Sequence, residues 1–250
     1  MTLPDQAPPQ WGNDPLTKFF DDARGNQYAT FFNKRAPFNR LVAIDKAVDD
    51  LFNGSKNIDP WFPATVMLRA HSSFRAAVSL VASGQVYETA TMLRLCIETA
   101  AYSLYIGSDL TRAECWLRRS DSEQHKAATR AMFTHKRVLA QIVKANQTLG
   151  SFYSELYEHA IDHGAHPNEA GYMRSMRISE LPEGKRFESV QLHADERLIG
   201  ITIEKVEKAG IFLLCAARIL WPIRSDLGGL TETLLKLDQA AYRSTFRDAT

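Results

Sequence analysis

Nothing in the spacing of the cysteines lets them close on one another or on a metal. Cys96, Cys115 and Cys215 are the only three, an odd number, far apart and without a C-x-x-C pair. That pattern argues against a disulfide framework and a zinc ribbon, and it fits a reducing cytoplasm. Neither sign of charge dominates: 30 basic residues stand against 29 acidic ones, so no net field draws the chain to nucleic acid or anionic lipid. Long apolar runs are missing too. The longest uncharged one, 209–217, is about half of what a bilayer requires. Residues 1–10 show no basic patch followed by an apolar stretch, so neither a membrane span nor a secretory signal is expected. A glycine-rich phosphate loop, a G-x-S-x-G elbow and a cysteine with a neighbouring histidine are absent as well, and no cofactor is expected.

What the chain does have is a stretch at 85–107, QVYETATMLRLCIETAAYSLYIG, that is apolar on nearly every face. Between Thr89 and Ser108 its only charges are Arg94 and Glu98. A helix apolar all round belongs in the middle of a bundle, where two charged side chains must find partners or face a polar cavity. Further helical spacing supplies the surround. Residues 38–52 place Leu41, Ile44, Val48 and Leu51 three and four apart and stop at Asn53-Gly54. Residues 62–83 carry Pro63 in the first turn and end at Gly84. With only Ser83-Gly84 as a turn, 62–83 and 85–107 should form an antiparallel hairpin.

Counting outward from Gly84, Arg75 falls level with Arg94, and His71 with Glu98. Arg69 and Arg75 have no carboxylate in their own helix. A polar cluster of His71, Arg75, Arg94 and Glu98 inside the bundle is therefore expected, either as a structural ion-pair network or as a ligand or active site. If Arg94 is buried, Glu98→Ala leaves it unpaired and should cost several kcal/mol.

The first 36 residues mix Pro4, Pro8, Pro9 and Pro15 with Trp11, Phe19, Phe20, Tyr28, Phe31 and Phe32. So many aromatics are costly to leave in water, and the segment reads as an arm docked on its own bundle or on a neighbouring subunit. Residues 37–250 make the bundle itself. A short helix follows Ser108 or Asp109 and runs to Arg119. Ser120 and Glu123 then form a capping box for a long helix to about 147, with His135 on its apolar side. Gly150-Ser151 starts another, FYSELYEHAIDH, which ends at Gly164. Residues 167–194 break the pattern as an excursion, with MRIS and FESVQL as a short hairpin. Asp195 caps a second central helix to Trp221, and Thr231 a final one with Leu234, Leu235, Tyr242 and Phe246 inside. Seven or so helices and little strand make the fold class all-α, a single helical bundle.

Three of the seven histidines crowd YEHAIDHGAHPN. His159 and His163 lie one helical turn apart, a spacing that can bind zinc or iron and serve a metal-dependent hydrolase. H-E-x-x-H is missing and His166 lies beyond Gly164. The alternative is a helix terminus whose imidazoles meet the negative end of the dipole.

The segment MLRLCIETAAYSLYI resembles the R-x-x-x-E helix of HEPN-like proteins (higher eukaryote and prokaryote nucleotide-binding), which include bacterial families of unknown function. In those proteins a later helix often ends in a tyrosine, an apolar residue and H-P-N or H-G, to which Tyr157, Ile161 and His166-Pro167-Asn168 are similar. The resemblance implies an all-helical homodimer that binds RNA or a nucleotide in toxin, phage-defence or stress contexts. Arg94, Glu98 and His166 are then the catalytic candidates, with His71, Arg75 and Asn168 as ligand contacts. Active HEPN ribonucleases carry R-x4-6-H and work without metal. In such a pair arginine stabilises a pentavalent phosphate while histidine helps to move the proton of a ribose 2′-hydroxyl. Arg130-AMFT-His135 fits the spacing, although on one straight helix the two would point about 140° apart. No arginine lies between Arg137 and Arg174, which departs from the family ending and leaves Arg94 with His166 as the other pairing.

Overall fold

Asp14 starts the first helix. In the computed structural model, which describes residues 6–54, 56, 58–165 and 169–237, its carboxylate accepts from the amides of Leu16 and Thr17. Helix α1, Pro15–Asn33, follows and occupies most of the segment expected as an arm. It packs on the bundle and supplies caps to another helix, described below. Helix α2, Arg35–Phe52, buries Leu41, Ile44, Val48 and Leu51 as their spacing requires. Next come α3, Trp61–Ala82, and α4, Val86–Gly107, packed together as the expected hairpin. Helices α5, Thr111–Leu117, α6, Glu123–Met132, α7, His135–Ala145, and α8, Gln147–Ala160, wrap one side. A π turn, Ile161–Ala165, and α9, Glu169–Ser175, lead to a hairpin of β1, Met176–Leu181, and β2, Gly184–Ser189, with Ile178 opposite Phe187. Helix α10, Glu196–Leu220, α11, Pro222–Leu227, and α12, Leu230–Leu237, complete the described chain.

The core is α4 and α10 with α2, α3 and α8 around them. Every residue from Ala209 to Ala217 is buried, and so are Leu93, Cys96, Ile97, Ala100, Ala101 and Leu104 on α4. No helix among the described residues is long and apolar enough to cross a membrane.

The all-α class holds, but there are more helices than seven. The helix expected over 123–147 is two, α6 and α7. Ser122 rather than Ser120 caps the first, its hydroxyl accepting from the His125 amide. Asn146 rather than Gly150-Ser151 opens α8. Helix α10 does stop before Pro222, with Trp221 as its C-cap, and Pro222 then takes the first position of α11, where a missing N–H costs nothing. Tyr242 and Phe246 lie outside the described residues.

The turn between α3 and α4 is tightly constrained. Gly84 N–H donates to the Val81 carbonyl and Gln85 N–H to that of Leu80, a Schellman ending that needs the left-handed φ of +86° at Gly84. Asn26 and Thr30 of α1 donate to the Ser83 and Ala82 carbonyls, satisfying groups that the helix end leaves open. The Gly84 carbonyl accepts from the His193 amide, and a Cβ at Gly84 would lie 2.9 Å from that nitrogen. Gly54 is also left-handed, at +62°, but opens onto space. Gly54→Ala should therefore cost about 1–2 kcal/mol, the price of a left-handed Cβ alone. Gly84→Ala adds overpacking and should cost about 3 kcal/mol or more; chemical denaturation of both variants measures the gap.

Candidate functional site

Arg94, Glu98 and Tyr102 recur every four residues on α4 and so share one face. Arg94 Nε donates to Glu98 Oε1 at 3.1 Å, and Nη2 donates to the Tyr157 hydroxyl of α8, also at 3.1 Å. The guanidinium carbon lies 5.1 Å from the Tyr157 ring centre. This pair is half-buried: the Arg94 side chain is 21% exposed and that of Glu98 30%. Burial opposes the charge on Arg94, but Glu98 and Tyr157 outweigh it and hold the guanidinium pKa above its ordinary value.

His135 joins from a third helix. Its ring stacks on Tyr157 with centres 3.9 Å apart and on Tyr153 at 5.5 Å. The Tyr153 hydroxyl lies 3.4 Å from Nδ1. Burial keeps this imidazole below its ordinary value of 6.5, against the attraction of Glu158 and Glu98. The same burial, with Glu98 near, pushes the Tyr102 and Tyr153 phenols up. Arg94 Nη1 and His135 Nε2 have no hydrogen-bond partner among the described residues. One uncommitted cationic edge and one imidazole kept largely neutral are thus both held by Tyr157.

The break after α6 puts His135 there. The Tyr102 and Tyr105 hydroxyls of α4 donate to the carbonyls of Phe133 and Met132 at 3.2 and 3.1 Å. The Phe133 ring packs on those of Tyr102, Tyr105 and Trp116. Thr134 then caps α7 by accepting from the Arg137 amide. The two ends of Arg130-AMFT-His135 therefore sit on different helices. Arg130 is exposed on α6 and no bond joins it to His135.

The expected cluster of four divides in two. His71 Nε2 lies 2.7 Å from Asp45 Oδ1, and Arg75 Nε donates to the same oxygen at 2.6 Å. Arg75 Nη2 reaches Asp45 Oδ2 and Asp49 Oδ1, both at 3.1 Å. Burial alone would raise the Asp45 carboxyl, but bonds from Arg75 and His71 outweigh it and lower it. Level along the hairpin axis does not fix rotation about it: the two aspartates of α2 take one face and Tyr157 of α8 the other. No sequence pattern singles out Asp45, Asp49, Tyr102 or Tyr153, although Tyr153 and Tyr157 stand four apart, the spacing of side-chain neighbours.

His159 and His163 lie apart from this cluster. Their rings stack 3.8 Å apart, and His163 Nδ1 donates to the His159 carbonyl at 2.8 Å. Stacked rings aim their nitrogens alongside one another, not at a shared point. No group of three or more His, Cys, Asp or Glu side chains able to hold a metal ion occurs among the described residues. His166 and Asn168 fall outside those residues.

Two stability measurements follow. Because Arg94 keeps Tyr157 and reaches water, Glu98→Ala should cost about 1 kcal/mol rather than the larger penalty of a buried orphan charge; thermal melts decide. The second concerns pH. With its folded pKa depressed, His135 contributes stability above 6.5 that is lost as pH falls, because the unfolded chain takes the proton first. His135→Phe keeps the stacking and removes the titration, so its melting temperature should fall less between neutral pH and pH 5 than that of the native chain. No family model, curated protein or solved structure matches this chain, so any assignment of function stands on the geometry of its own residues.

Proposed function

We propose that this chain is a HEPN-like helical protein that works in the cytoplasm as a homodimer, binding RNA or a nucleotide through phosphate contacts at Arg94. The observation that carries this reading is the set of Arg94, Glu98, Tyr157 and His135, contributed by three helices to one half-exposed place. Arginine with a free edge suits a phosphate, since its donors match two oxygens at once. Glu98 fixes the direction of that edge. The aromatic residues of α1 support the dimer: Tyr28 is 69% exposed and Phe32 82%, and apolar surface of that kind is costly unless covered.

A second reading, RNA cleavage without metal, is favoured by His135. An imidazole kept neutral by burial, with Nε2 uncommitted, is suited to accept the proton of a ribose 2′-hydroxyl as that oxygen attacks phosphorus. The attack expels the 5′-oxygen of the next nucleotide, which is protonated from solvent, leaving a 2′,3′-cyclic phosphate. Arg94 would hold the charge that builds on the phosphate oxygens. In this version His135 pairs with Arg94, not with Arg130.

Fluorescence anisotropy with a labelled single-stranded RNA tests the proposal. Arg94→Ala should weaken binding about tenfold or more, the loss of one charge-assisted contact. Arg130→Ala should leave it within about twofold, since a lone exposed charge is largely screened. No anisotropy change with the native chain would reject binding. RNA left intact in EDTA at high protein concentration would reject cleavage, and a light-scattering mass of one chain would reject the homodimer.

A further inference from the structure

A cavity of about 170 Å³ lies between the start of α4, the end of α8 with its π turn, and the first half of α10. Apolar side chains make most of its wall, Val86, Ala90 and Leu93 from α4 and Leu198 and Ile201 from α10. Tyr87, Thr89 and Thr202 add hydroxyls, and the nitrogen-bearing side chains of the wall are all basic. His159, His163, His193 and Lys205 line it, and no carboxylate does so among the described residues.

Lys205 has no hydrogen bond or ion pair among the described residues. The nearest acid in sequence, Glu204, is taken by Lys208 at 3.2 Å. His163 has spent Nδ1 on the His159 carbonyl, which turns its other nitrogen to different use. His193 is held in place by its backbone, whose amide donates to the Gly84 carbonyl at 2.9 Å. The wall is therefore mostly oily, with one lysine and three imidazoles at its polar side.

Size and charge narrow the occupant. A dry cavity of about 150 Å³ accepts benzene, so this one takes a single ring or a short branched chain and excludes a nucleotide. One lysine balances one negative charge; a dianionic phosphate would bring a second charge into an apolar wall that has no second fixed cation among the described residues. We propose that the cavity binds a small organic monocarboxylate, its apolar body against Val86, Ala90 and Leu93 and its carboxylate at Lys205 with His163 and His193. This site is separate from the Arg94 cluster and does not depend on it.

Calorimetric titration of the full chain with benzoate, and with benzyl alcohol as its neutral counterpart, tests the assignment. Benzoate should bind at millimolar concentration or below, and tighter than the alcohol. Lys205→Met keeps the stem and removes the charge; it should weaken benzoate about tenfold and leave the alcohol within about twofold. Ile201 is 46% exposed at the mouth, so Ile201→Trp leaves the core intact and should abolish both. The melting temperature of each variant verifies folding. Absence of benzoate binding, equal binding of benzoate and benzyl alcohol, or binding untouched by Ile201→Trp would overturn the proposal. RNA binding by Ile201→Trp should be unchanged, which keeps this test distinct from that of the Arg94 site.

Discussion

Two phenolic hydroxyls on one helix decide where the neighbouring helix stops. Tyr102 and Tyr105 hold the terminal carbonyls of α6, and the chain must turn at Phe133 and restart at His135. Without that grip the segment has the composition to run on as one helix, and His135 would follow the helical rotation wherever it led. With it, the imidazole lies on Tyr157, whose hydroxyl also accepts a hydrogen bond from Arg94. The Arg94 cluster is thus a product of hydrogen bonds made to backbone ends. That is an economical device, because those carbonyls need partners in any case.

A similar logic operates at the other end of α4. There α1 and the segment before α10 converge on the Ser83-Gly84 turn, α1 closing carbonyls at the end of α3 and His193 closing that of Gly84. Fixing this turn fixes the first residues of α4, which form one wall of the cavity, and fixes His193, which belongs to another. The two ends of one helix therefore present different chemistry. Toward its middle α4 offers charge to Tyr157 of α8, and further on it offers aromatic rings to Phe133; at its beginning it offers apolar side chains to the cavity that α10 also lines.

Much of this was legible in the sequence, for identifiable reasons. Helices α2, α3 and α4 announce themselves by periodic apolar residues closed by glycine, and the Arg94–Glu98 pair by its spacing of four. The break at Phe133 was not legible, because its cause lies on another helix; Thr134 as a cap was the one local sign. Helix α1 was obscured by its weak periodicity, though Asp14-Pro15 is a sound start signal. The partners of His71 and Arg75 were hidden by the same limit. Spacing within a hairpin gives height along the axis, whereas Asp45 and Asp49 come from a third element that settles rotation.

The central claim is that Arg94 and His135 belong to one electrostatic unit, and titrating the His135 imidazole by nuclear magnetic resonance tests it most directly. In the native chain the midpoint should lie below the ordinary histidine value, and in Arg94→Gln it should move up, since the nearby positive charge is one of the influences that depress it. An ordinary midpoint that is the same in both proteins would contradict the account.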